Sequence, residues 1–137
     1  MTKKIAEIEL KLNKKDEIIY SDNDNIPKGK VKQLQVFKVD GEIKKFGYSE
    51  QSIKDSLGAF KNGQKGGSPS VRTTGMSKAM NSELQQGSKV SVEIYDVPVG
   101  KTPKEYCDEK IEEYKKENNG TAPEWNKQKN KKKWSKQ

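Results

Sequence analysis

The side chains that most often carry chemistry are scarce in this 137-residue chain, which has no histidine and one cysteine, Cys107. Zinc fingers, zinc-deaminase sites and Ser-His-Asp or Cys-His nucleophile systems are therefore excluded, because each needs imidazole or several thiolates. Any catalysis must use carboxylates, tyrosine and lysine, and the metal suited to such groups is a hard, oxygen-bound cation such as magnesium. One thiol also cannot close an internal disulfide.

What the chain has in excess is positive charge: 28 Lys and Arg stand against 20 Asp and Glu, a formal +8. That sign attracts phosphate backbones or acidic membranes, and the expected partner is nucleic acid; DNA is favoured over RNA, a preference that charge by itself does not supply. Candidate contacts are Lys44, Lys45, Lys54, Lys61, Lys65, Arg72 and Lys78, of which Arg72 is the single guanidinium of the chain. The densest charge lies at residues 127–137, where Lys127, Lys129, Lys131, Lys132, Lys133 and Lys136 surround Trp134. Six mutually repelling lysines cannot build a core, which predicts a disordered basic tail whose cations reach phosphates and whose indole stacks on a base. The acids of Ser21-Asp22-Asn23-Asp24-Asn25 could attract a cation. They lack the glycine and terminal glutamate of an EF-hand, so the stretch reads as a polar loop.

These groups must be positioned by a small α+β domain, since the chain is long enough for one core and its apolar residues fall in periodic segments. Ile8, Leu10 and Leu12 alternate with charged residues, as in a half-buried strand. Two apolar-containing runs between Leu34 and Tyr48 flank Asp40-Gly41, the signature of a type I′ hairpin turn. Ser49 is placed to cap a helix through about Phe60, with Ile53, Leu57 and Phe60 on one face. A Gly-rich loop over 62–70 follows, then a second helix opening at Thr73 or Thr74 and stopped by Gly87. Val90, Val92 and Ile94 alternate as a further strand that ends before Pro98. Thr102-Pro103-Lys104-Glu105 forms a capping box with proline at the first helical position, which specifies a third helix bearing Cys107, Ile111 and Tyr114 on its apolar face. The expected architecture is a central antiparallel or mixed sheet, the hairpin plus one or two strands, flanked by about three helices. Residues 1–126 form the domain and 127–137 the tail.

This order of hairpin, helix, loop, helix, strand and helix, ending in Pro123-Glu124-Trp125-Asn126, resembles the GIY-YIG endonuclease superfamily, in particular its small phage and restriction-type members. The resemblance covers roughly residues 33–126. It implies that Val36-Phe37-Lys38 lies where the first motif belongs and Lys45-Phe46-Gly47-Tyr48 where the second does. Both motifs are degenerate, since Phe37 lacks a hydroxyl and Tyr48 follows the glycine instead of preceding it. It further implies that Lys54 stands in for the helix arginine, and that Asn126 matches the terminal asparagine. The metal-binding glutamate of the family falls near Cys107, which leaves Asp108 and Glu109, with Glu105 already engaged in the capping box, as displaced ligands for magnesium. The catalytic set so implied is Tyr48, Lys54, Asp108, Glu109 and Asn126, and the reaction is metal-dependent endonucleolytic hydrolysis of phosphodiester bonds. The same fold can also persist as a nucleic-acid-binding platform after catalysis is lost. A function of another class is a non-catalytic interaction protein, a phage-type inhibitor of a host protein, with incidental charge.

No apolar run approaches the roughly 20 residues that span a bilayer, and residues 1–12 lack the apolar middle of a signal peptide. The expected setting is the cytoplasm, that of the host if the chain is phage-encoded, with no membrane partner.

Overall fold

The computed structural model describes residues 2–20, 26–63 and 71–126. The expectations for the acidic loop at 21–25, for Lys65 and for the tail at 127–137 lie outside these residues.

Strand β1 (Lys4–Leu12) buries Ile8 and Leu10 and exposes Glu7 and Glu9, the alternation read in the sequence. A tight turn leads into β2 (Ile18–Tyr20): Asn13 Oδ1 accepts from the amides of Lys15 (2.9 Å) and Glu17 (3.0 Å), and Asp16 takes φ 59°. β2 is an addition to the expected architecture, too short for a period of two to show.

β3 (Gln33–Val39) and β4 (Glu42–Ser49) form the hairpin, with Asp40 at φ 50° and Gly41 at φ 83° as the Asp-Gly pair requires. The turn is tied down from outside, because the Asp40 amide donates to Lys89 O and its carboxylate accepts from the Lys89 amide, both at 2.8 Å. Helix α1 (Ile53–Gly63) starts later than the sequence suggested. Ser52 takes the capping position, its hydroxyl accepting from the Asp55 amide at 3.1 Å, while Ser49 turns the chain by accepting from Gln51. Helix α2 (Val71–Gln85) is followed by β5 (Val90–Asp96) and α3 (Pro103–Glu117). Both halves of the Thr102–Glu105 capping box are formed.

The sheet is antiparallel throughout, in the order β2-β1-β5-β3-β4. Its faces carry separate cores. Phe37, Val39, Val90, Val92, Ile94, Ile8 and Leu10 pack against Ile53 and Leu57 of α1 and Met76 and Met80 of α2. Leu34, Val36 and Phe46 pack on the other face against Tyr106, Cys107 and Ile111 of α3.

The free edge of β4 is closed by the segment that follows α3. Trp125 donates its amide to Lys44 O at 2.8 Å, and the Asn126 side chain both accepts from the Phe46 amide and donates to Phe46 O, each at 2.9 Å. One carboxamide thus supplies what a neighbouring strand would supply. The segment also bridges the layers: Ala122 belongs to the α3 core and Trp125 to the core under α1 and α2.

Candidate nucleic-acid interface

The sheet register decides which candidate residues can meet. Gln35 pairs with Gly47 and Phe37 with Lys45, so these four share the face covered by α1; Leu34 pairs with Tyr48 and Val36 with Phe46 on the α3 face. Tyr48 and Lys54 therefore lie on opposite sides of β4. Tyr48 is 45% exposed at the rim, within electrostatic reach of the Lys104 ammonium on α3. Lys54 is exposed on α1.

Asp108 and Glu109 are neighbours on α3, so their side chains leave the helix about 100° apart. Each has a lysine: Lys104 Nζ meets Asp108 Oδ2 at 2.9 Å, and Lys101 Nζ meets Glu109 Oε1 and Oε2 at 2.6 and 2.7 Å. No group of three or more His, Cys, Asp or Glu side chains able to hold a metal occurs among the described residues. As arranged, both carboxylates are occupied by lysines, and a magnesium ion held by either would have to displace that lysine. The amide of Asn126 is engaged at both ends by Phe46, which gives it a clear role in closing the sheet edge.

Where the hairpin meets α1, the buried polar groups are ones sequence reading passed over. Gln33 Nε2 donates to Val31 O (3.0 Å) and Gln51 O (3.1 Å), and Gln35 Nε2 donates to Gln33 Oε1 (2.9 Å) and Ser56 Oγ (2.8 Å). Both glutamines are buried, and the Lys45 stem lies beside Gly47 in the same layer. The sequence did contain the signal, because Gln33 and Gln35 alternate with Leu34 and Val36 in a strand buried on both faces. The chain of amides and a hydroxyl holds no titratable acid or base.

Of the candidate cations, Lys44 is half-shielded between Glu42 (3.9 Å) and Glu124 (3.7 Å), and Lys61 sits 4.0 Å from Glu17. Lys78 lines a groove of about 940 Å³ between α2 and the β1–β2 turn, together with Lys15, Asp16 and Glu17. Arg72 lies in the first turn of α2.

A separate ionic cluster occupies the sheet where β3, β5 and β1 adjoin. Glu93 accepts from the Tyr95 hydroxyl at 2.7 Å and from Lys38 at 3.1 Å, with Lys4 at 3.9 Å. Burial opposes the Glu93 charge, but the bonds from Tyr95 and Lys38 and the charges of Lys38 and Lys4 outweigh it and hold the carboxyl below its ordinary value. Burial and the Glu93 carboxylate push Tyr95 up to about 12. The signs follow from linkage. The Glu93 contribution to stability is present above its unfolded pKa and is lost as pH falls through the depressed folded value. The Tyr95 contribution is present below its unfolded value near 10 and is lost as pH rises towards about 12. Tyrosinate absorbance should thus show a component ionising near pH 12 that moves down in Glu93→Gln. A titration without that component would contradict the cluster.

No family model matches the sequence, and no curated protein does. Among solved structures, the chain aligns with a mutant of bacteriophage T4 EndoII at TM-score 0.54 and 17% identity, over 68% of this chain and 64% of that one. It also aligns with the restriction endonuclease Hpy188I in complex with product DNA, at TM-score 0.50 and 22% identity, over 85% of this chain and 75% of that one. What the chain shares with these two proteins is the fold. The chain thus spans less than two thirds of T4 EndoII, and the likeness extends to backbone arrangement, on which side chains are free to differ.

Proposed function

We propose that this protein binds nucleic acid, DNA in the first instance, on a GIY-YIG-like scaffold that has lost its hydrolytic centre. The observation that carries the reading is the chemistry of the layer between the hairpin and α1, where an endonuclease-type fold holds a satisfied chain of Gln33, Gln35 and Ser56. Phosphodiester hydrolysis needs a held metal, an activated water and a cation on the developing charge. Tyr48, Lys54, Asp108, Glu109 and Asn126 are divided between the two sheet faces and an edge, and the acids are committed to lysines.

Support for a nucleic-acid partner comes from the formal +8 and from the origin of the basic segment at 127–137. It starts one residue beyond Asn126, which is fixed to β4. A tail anchored there adds phosphate contacts to those of the domain. The competing reading is a magnesium-dependent endonuclease with Asp108 and Glu109 as ligands. Supercoiled plasmid incubated with the protein and magnesium separates the two. The platform reading expects it to stay uncut. Nicking that disappears in Asp108→Ala or Glu109→Ala would establish the endonuclease instead.

A further inference from the structure

The hairpin ladder does not stop at Gln33–Ser49. An isolated bridge joins Lys30 to Ser52 in the same register, and the Val31 amide donates to Gln51 O at 3.4 Å. Residues 30–32 therefore run alongside 50–52 beyond the end of β3, held by that bridge and that one backbone bond while Glu50 and Gln51 bend. Val31 points inward and packs against the core under α1 and α2. Period two then turns Lys30 and Lys32 to the other side, which is the side of Leu34 and Tyr48. Both lysines are exposed, and neither has an ion pair among the described residues. Glu50 is the acid opposite Lys32 in the register, and Asp108 is the acid paired with Lys104 beyond Tyr48.

Tyr48 lies between these cations. Its ring is one of two large apolar side chains exposed among the described residues, and its hydroxyl makes no hydrogen bond among them. A flat, exposed ring on a rigid strand, with exposed ammonium groups two and four positions beyond its partner Leu34, offers a stacking surface beside a line of positive charge. That combination suits a single strand, whose bases present their faces, and does not suit a duplex, whose bases are already stacked.

We propose that Tyr48, with Lys30 and Lys32, forms a track for single-stranded nucleic acid in which Tyr48 stacks on a base and the lysines meet flanking phosphates. This rests on the nucleic-acid reading above and reassigns Tyr48 from chemistry to binding. An acidic protein segment is the competing occupant.

The test is fluorescence anisotropy of the full chain with a labelled oligo-dT 20-mer and with a labelled duplex of the same length, across a salt series. Tyr48→Ala should weaken oligo-dT binding about tenfold or more, the value of one base–aromatic stack. The slope of affinity against salt should stay unchanged, and Tyr48→Phe should restore binding. Lys30→Gln with Lys32→Gln should reduce the single-strand slope by about 0.7 for each phosphate that a lysine no longer neutralises. If the wild-type chain binds oligo-dT and Tyr48→Ala binds it equally well, the track is wrong while the nucleic-acid reading stands. Equal losses on single strand and duplex would overturn it as well. Should the wild-type chain bind neither, both readings fall and an acidic protein becomes the occupant to seek.

Discussion

Trp125→Ala should destabilise the fold by about 3–5 kcal/mol, the usual cost of removing a buried indole. Trp125 is 3% exposed in the core beneath α1 and α2, although it belongs to a segment that contributes no regular element. The loss would be larger than its volume alone suggests if it freed its neighbour. Asn126 satisfies Phe46 N and O on the outer edge of β4, and a free edge leaves both groups without protein partners. Asn126→Leu should accordingly cost about 1–3 kcal/mol for each backbone group left unsatisfied in a buried setting. Urea unfolding monitored by circular dichroism reads both variants as shifts in midpoint at constant slope. Shifts worth under about 1 kcal/mol for Trp125→Ala would mean that the 122–126 segment does not clamp the sheet.

Deleting residues 127–137 keeps the Asn126 clamp and should leave the unfolding free energy within about 0.5 kcal/mol of the full chain. Its effect on DNA affinity should be large. The segment carries six lysines, and each that reaches a duplex phosphate contributes about 0.9 to the salt slope. Truncation should therefore flatten the slope by several and lower affinity by about a hundredfold at low salt, as read by anisotropy on duplex DNA. An unchanged slope would show that the tail makes no phosphate contacts, leaving the folded domain as the sole binding surface.

Much of the fold was legible because local chemistry and tertiary packing agree. Asp40-Gly41 forces a primed turn wherever it joins two strands, and Thr102 with Pro103 and Glu105 satisfies a helix start without help from the rest of the chain. The readings that shifted are those where tertiary structure chose between equivalent local options. Ser49 and Ser52 can each cap a helix, and the extension of the β3–β4 ladder to Lys30 and Ser52 delays the helix until Ile53. β2 exists because β1 offers it an edge.

The candidate site was less legible for a reason of geometry. A resemblance in element order places residues along the chain, but the face each occupies depends on register, and a step of one residue reverses it. Tyr48 and Gly47 show this directly: adjacent in sequence, they look to opposite layers of the molecule. Lys30 and Lys32 escaped notice because they precede the recognisable hairpin, and their alignment with Tyr48 appears only once the ladder is seen to continue past Gln33.

The central claim, that this fold now binds nucleic acid without cutting it, is tested most directly by anisotropy of the full chain with labelled DNA in magnesium, from low to high salt, with the same samples then run on a denaturing gel. The account predicts saturable binding that weakens steeply as salt rises, with every strand intact. Absence of binding at low salt, or product strands that accumulate with magnesium, would contradict it.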